Sequence, residues 1–165
     1  MRPLALANTV ALALPLALAG GALASQYLGG LVPCEMCYWQ RWPHYAAIGV
    51  AALAFFVPAP LPRRLLVLIA AALIAVSGIV GVAHAGVEYH WWEGFTACTS
   101  GIRATGNSAD VLAQIMNAPL IRCDVPQWTL AGISLAGFNA IFSLGGAMAI
   151  MVLASRRADG RGRRA

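Results

Sequence analysis

The sequence predicts an all-α membrane protein: a four-transmembrane-helix bundle with a short interfacial helix in its second outer loop. Three observations predict it. Of 165 residues, 60% are hydrophobic and 10% charged, with mean hydropathy +0.73, whereas a soluble domain carries about 25% charged residues. The apolar residues gather into four stretches of roughly 20, the length that crosses a ~30 Å hydrocarbon core. The charges are sorted between the connections, eight of the eleven arginines falling to one side and five of the six acidic residues to the other.

The first stretch, residues 4–24, follows Arg2 and ends Ala22-Leu23-Ala24 before Ser25. Those features fit a retained span and a cleaved secretory signal equally well. Either reading gives the same sidedness to the rest. The second stretch, residues 38–57, opens with Gln40, Arg41, Pro43 and His44 before becoming uniformly apolar. Pro58, Pro60 and Pro62, with Arg63 and Arg64, predict a short polar turn, because proline cannot continue a helix. The third stretch, residues 65–87, is apolar apart from Ser77 and His84, and the fourth covers residues 129–154. These spans with their loops make one membrane domain over residues 1–154. Residues 155–165 form a basic tail of disordered composition.

Arg2, Arg63, Arg64 and the five tail arginines share one side of this arrangement. By the positive-inside rule that side is cytoplasmic, and with all four spans retained both termini lie there. The arginines therefore report topology, and the net charge of +5 gives no nucleic-acid footprint. All four cysteines fall in the outer loops, residues 25–37 and 88–128, on the oxidising side, which in a bacterium is the periplasm. The second loop opens with Glu88-Tyr89-His90-Trp91-Trp92, aromatics that suit an interfacial belt. In its middle, Asn107 or Ser108 can cap a short helix with Asp110 in its first turn. Val111, Leu112, Ile115 and Met116 share a face of that helix, which is too short to span and suits the membrane surface. On the fourth stretch, Gly132, Ala136 and Ala140 at four-residue spacing predict close helix packing, with Asn139 as interhelical glue.

The chemistry centres on Pro33-Cys34-Glu35-Met36-Cys37-Tyr38-Trp39-Gln40-Arg41. A Cys-x-x-Cys pair at a helix N-terminus is a redox or metal signal, and the positive end of the helix dipole is expected to lower the first thiol's pKa. Cys98 and Cys123 have 24 intervening residues, so a bridge between them would close a loop. Two dithiol pairs on one face permit a relay by thiol–disulfide exchange. A four-cysteine zinc site wants two short-spaced pairs, and only one is present; two structural disulfides in a membrane accessory protein are the stronger rival. Against that rival, a bridge across two residues is strained and stabilises little. Arg41 stands one turn past Cys37, on the same helix face, at membrane depth. It can snorkel to the headgroups, or it can offer its donors to the carbonyl of a membrane quinone beside Cys37.

Taken together, the order of features resembles the DsbB family of disulfide bond formation proteins over nearly the whole chain. The likeness rests on the four spans, on Pro-Cys-x-x-Cys followed by Gln40-Arg41, on Phe95-Thr96-Ala97-Cys98, and on Cys123 leading through Pro126-Gln127-Trp128 into Gly132-Ile133-Ser134. It implies a retained first helix and an inner-membrane, quinone-dependent thiol oxidase that re-oxidises a DsbA-like periplasmic protein of thioredoxin fold. It also implies disulfides Cys34–Cys37 and Cys98–Cys123. On the family pattern, Cys98 meets the partner, electrons pass to Cys34–Cys37, and Cys37 hands them to quinone, ubiquinone or menaquinone, held by Arg41 and His90. No metal enters. Gln40 stands where the family often has glutamate. A dedicated oxidase for another secreted thiol protein would use the same chemistry, since partner choice lies in the loop surface.

Overall fold

A computed structural model describes residues 3–94, 96, 107–116 and 121–156. The chain forms α1 (Pro3–Tyr27), α2 (Glu35–Phe56), α3 (Pro60–Glu88), a short α4 (Ser108–Met116), strands β1 (Thr129–Leu130) and β2 (Ile133–Ser134), and α5 (Leu135–Ser155). Three helices, α1, α3 and α5, are long and apolar enough to cross a membrane. The second, α2, is 22 residues long, but Gln40, Arg41, Pro43 and His44 dilute its first turns. Helix α3 packs on both α2 and α5, and α1 closes the bundle against α2 and α5.

The packing is made by small side chains. One core gathers Ala7 and Ala11 of α1, Ala47, Ala51 and Ala54 of α2, Val67, Ala70, Ala71 and Ile74 of α3, and Ala147, Ile150 and Ala154 of α5. Between apolar helices in lipid there is little hydrophobic drive, so close backbone approach and interhelical hydrogen bonds must hold the bundle. Gly81 shows how close the approach is: a Cβ there would lie 3.0 Å from the Ala140 nitrogen and 3.1 Å from the Ala136 oxygen. Ala136 and Ala140 are thus the packing residues expected of α5. Gly132 is not, because it stands before the helix.

The predicted fourth stretch begins too early. Thr129 to Ser134 form a two-residue-loop hairpin with Thr129 opposite Ser134, and Ala131 and Gly132 take φ of 51° and 78°. Positive φ at both central residues is the type I′ geometry that matches strand twist. The Ser134 hydroxyl then caps α5 by accepting from Gly137 N at 3.1 Å. The third helix differs the other way, starting at Pro60 rather than after the proline cluster; proline is favoured at N1, where its missing N–H has no partner to lose.

Helix α4 forms where expected, through a reciprocal cap. Asn107 Oδ1 accepts from Asp110 N at 2.9 Å, and Asp110 Oδ2 accepts from Asn107 N at 3.4 Å. At the end of α3, Trp91 N donates to Gly86 O at 2.8 Å and His90 N to Val87 O at 3.2 Å, the pair of bonds of a Schellman cap, with His90 as its left-handed residue at φ 56°. Trp92 folds back on the same turn, donating its indole N–H to Ala83 O at 3.1 Å and lying where a Cβ on Gly86 would be.

Replacing Gly81 by valine should push α3 off the α5 backbone and cost about 1–3 kcal/mol. Gly20→Ala, at a position with open space around its Cβ, should be neutral or slightly stabilising. Thermal unfolding of the detergent-solubilised protein separates the two; equal melting temperatures would contradict the close approach.

Candidate functional site

The polar end of the bundle is built from the start of α2. Cys34 is the N-cap of that helix, and its sulfur accepts from Cys37 N at 3.3 Å. The first turn therefore folds the two thiols together, with Sγ atoms 2.8 Å apart and both cysteines free. Cys34 is buried, while Cys37 is partly open. The helix N-terminus does not favour ionisation of the first thiol, as its position alone suggested. The hydrogen bond with Cys37, reinforced by burial, holds the Cys34 thiol above its ordinary pKa. The same hydrogen bond lowers the Cys37 thiol below its ordinary pKa.

Behind Cys34 stands His84 of α3, its Nε2 3.5 Å from the sulfur. The sulfur of Cys123 completes a cluster in which the ligating atoms of Cys34, His84 and Cys123 lie within 4.8 Å of one another. Cys123 is disulfide-bonded, so this trio is not a free donor set for a metal. It is an arrangement of one thiol, one engaged sulfur and an imidazole. The loops that carry the sulfurs are tied together just beyond: the Gln127 side chain accepts from Val32 N at 3.0 Å and donates to Val32 O at 2.6 Å, as a paired strand would. Arg122 and Asp124 form an ion pair on either side of Cys123, and the arginine holds the Asp124 carboxyl below its ordinary pKa.

Beneath the thiols, side chains from three helices satisfy each other. Gln40 Nε2 donates to Met36 O at 3.2 Å and meets His84 Nδ1 at 2.8 Å. Asn139 of α5 donates to Gln40 Oε1 at 2.8 Å and to Ser77 O at 3.2 Å, while its Oδ1 accepts from Ser143 at 2.9 Å and meets His44 Nε2 at the same distance. Asn139 is thus the interhelical link expected of it. One turn beyond His84, Glu88 lies 3.7 Å from its Nε2 and accepts from the Ser134 hydroxyl.

Arg41 is buried, and its guanidinium turns toward α1, where Nη1 donates to Gln26 Oε1 and Nη2 to Ala22 O at 3.0 Å. Its carbon also lies 5.6 Å from the Tyr38 ring. A cavity of about 270 Å³ connects these groups, lined by Cys34, Cys37, Arg41, His84, Ala22 and Phe138 among others. Cys34, Cys37 and Arg41 are therefore brought together. His90 is not: it is exposed as the α3 cap and does not line this cavity. The histidines at the cavity are His44 and His84, and a sequence signal for His84 existed in the His84–Glu88 pair, two titratable residues one turn apart on an apolar helix. Cys98, with Phe95, lies outside the described residues.

A helical membrane protein that buries a dithiol against a third, disulfide-bonded sulfur belongs to the class of membrane thiol–disulfide proteins. Comparison with known sequences narrows the class. Residues 5–153 match the family described as disulfide bond formation protein DsbB. Similar relatives are disulfide bond formation protein B 1 of Pseudomonas savastanoi pv. phaseolicola, 32% identical, and that of Pseudomonas fluorescens, 30% identical; each match covers 73% of this chain and 72% of the relative. An uncharacterized Rickettsia prowazekii protein is 24% identical over 83% of this chain and 80% of its own. No solved structure matches. The chain belongs to the DsbB family and is a membrane protein of disulfide-bond formation.

The thiol geometry makes a direct prediction. In the reduced protein at neutral pH, maleimide should modify Cys37 at least about tenfold faster than Cys34, since each pKa unit changes the thiolate fraction tenfold. Because the Cys34 pKa is raised, its modification should climb only in alkaline solution. Peptide mass spectrometry of timed reactions reads both rates, and faster labelling of Cys34 would contradict the assignment.

Proposed function

We propose that this protein is a quinone-dependent thiol oxidase of the bacterial inner membrane that re-oxidises a DsbA-like periplasmic protein. The single observation that carries this reading is the convergence of Cys34 and Cys123. Their sulfurs lie within 4.8 Å of each other, next to a dithiol whose second sulfur borders the Arg41 cavity. Two structural disulfides would have no use for that proximity.

In this reading α2 is the fourth span, despite its polar first turns, because Gln40, Arg41 and His44 face protein partners rather than lipid. Both termini are cytoplasmic and the cysteines periplasmic, as the arginine distribution argues. Cys98 pairs with Cys123 and receives the partner's attacking thiolate. That attack breaks the Cys98–Cys123 bond and frees Cys123 as a thiolate. Cys123 then attacks Cys34 of an oxidised Cys34–Cys37 pair, forming Cys34–Cys123 and leaving the electron pair on Cys37. The partner's second thiolate then displaces Cys98 and leaves as the oxidised partner, and Cys98 attacks Cys123, re-forming Cys98–Cys123 and freeing Cys34 as a thiolate. The net transfer is two electrons, from the partner dithiol to the Cys34–Cys37 pair.

The cavity residues suit a quinone ring. Arg41 has five N–H donors, and two of its nitrogens bond to α1, which leaves donors for a ring carbonyl. Phe138 and Ala22 supply an apolar wall. When bound, a quinone supplies the acceptor for two electrons and two protons. The chain's own part is to hold Cys37 as the more acidic thiol, to set a fixed positive charge beside it, and to exclude water. Buried charge in a low-dielectric site acts far more strongly than in water.

The test adds a soluble quinone to purified protein with reduced partner and follows partner thiol loss against quinone absorbance. Stoichiometric reduction is expected, with Cys37→Ser abolishing it. Losing charge-assisted hydrogen bonds worth about 1.5–3 kcal/mol, Arg41→Ala should raise the apparent quinone KM roughly 10- to 100-fold. Normal turnover in Cys98→Ser would sink the relay.

A further inference from the structure

We infer that Gln40 fixes His84 in its Nε2–H tautomer and so makes the imidazole a permanent hydrogen-bond donor toward the Cys34 sulfur. This deepens the proposed function and rests on its reading of Cys34–Cys37 as the reactive pair. Gln40 is a positioning residue in this account; it touches neither sulfur.

The inference is an accounting of donors and acceptors. The Gln40 amide cannot be turned over, because the atom that faces His84 also faces a main-chain carbonyl, Met36 O at 3.2 Å. Only an N–H can do so. The other end of the amide is pinned as well. Gln40 Oε1 receives Asn139 Nδ2 at 2.8 Å, and Asn139 Nδ2 is itself identified as nitrogen by donating to Ser77 O at 3.2 Å. Rotating Gln40 would set oxygen against oxygen at Met36 and nitrogen against nitrogen at Asn139. Its N–H therefore points at His84 Nδ1, 2.8 Å away, and Nδ1 must be the bare lone pair. Neutral imidazole has one proton, which then sits on Nε2. An imidazolium would place Nδ1–H against the amide N–H and is disfavoured for the same reason.

Nε2 is the ring atom 3.5 Å from Cys34 Sγ and 3.7 Å from Glu88 Oε1, and the ring also meets the Cys123 main-chain carbonyl, so its one N–H faces acceptors alone. When a disulfide of Cys34 is opened by attack on its other sulfur, the S–S electron pair comes to rest on Cys34 Sγ. A fixed N–H at that place stabilises the outgoing thiolate and passes no proton to it. A glutamate at position 40 would reverse the arrangement. Its carboxylate would accept from Nδ1, drawing a proton there and turning His84 into an imidazolium or leaving a lone pair toward the sulfur. Glutamine and glutamate at this position thus set opposite ring states. The titratable groups facing His84 are Cys34 from the start of α2, Glu88 on α3 and Cys123 from the outer loop.

The experiment is side-chain 15N–1H NMR of the full-length, reduced, quinone-free protein in nanodiscs, with His84→Gln to assign the ring. Wild type should show Nε2–H and a bare Nδ1 from about pH 6 to 8, the range in which an ordinary histidine titrates. Gln40→Glu should bring an Nδ1–H signal and raise the ring's titration midpoint by at least about one unit, since a carboxylate neighbour favours the charged ring. Gln40→Met should give a mixture of tautomers. An Nδ1–H in wild type, or an unchanged ring in Gln40→Glu, would overturn the inference. The wild-type spectrum decides the tautomer even if a variant fails to fold. No quinone is present, so the outcome is separate from that of the oxidase assay.

Discussion

Everything at the working end of this protein depends on Asn139 and the hydrogen bonds it spends. Within a bilayer there is no water to satisfy a stray amide or imidazole, and an unpaired polar group costs several kcal/mol. Asn139 resolves that for three helices at once: it reaches Gln40 and His44 on α2, Ser77 on α3 and Ser143 on its own helix. Individually such bonds are modest, averaging about 0.6 kcal/mol in membrane proteins. Their value here is directional. Each group has one acceptable orientation, so the ring beside Cys34 is oriented by a chain of bonds that ends on main-chain carbonyls.

The small-residue packing below the site serves the same end. Gly81 lets α3 meet the α5 backbone, and Asn139 lies on the α5 surface that this approach brings to Ser77 and Gln40. A wider separation would open the network before it disturbed the apolar core. Alanine in the core and polar residues at the end are therefore one design, since neither the close approach nor the fixed orientations would persist without the other.

Much of this was legible from residue order. The apolar stretches located the long helices, the Asn107–Asp110 spacing located α4, and the pairing of a dithiol with Arg41 marked the site. What escaped were features that need the third dimension. The hairpin before α5 reads as span, because Thr129 to Ser134 are not polar enough to break the pattern, and only the left-handed pair Ala131-Gly132 betrays the turn. His90 stands near the expected place in the chain, yet a Schellman cap turns it outward, and His84, two turns earlier, fills the inner position. Which of these histidines faces α2 depends on where α3 ends, and in the linear order only the i, i+4 spacing of His84 and Glu88 hints at it.

The same geometry explains why a buried arginine is tolerated two turns from the helix start. Arg41 does not pair with a carboxylate among the described residues; it is held by neutral oxygens, Gln26 Oε1 and Ala22 O. A carboxylate partner would cancel its field. Neutral acceptors solvate the guanidinium and leave its charge acting on whatever lies in the cavity beside Cys37. Glutamine rather than glutamate at position 40 extends that logic. It removes a second negative charge from the neighbourhood and still holds His84 in place. The site then presents, on its two sides, an oriented N–H donor and a cation that has no ion-pair partner among the described residues. Such an environment favours negative charge developing on sulfur, or on an acceptor next to it, over charge already present at rest.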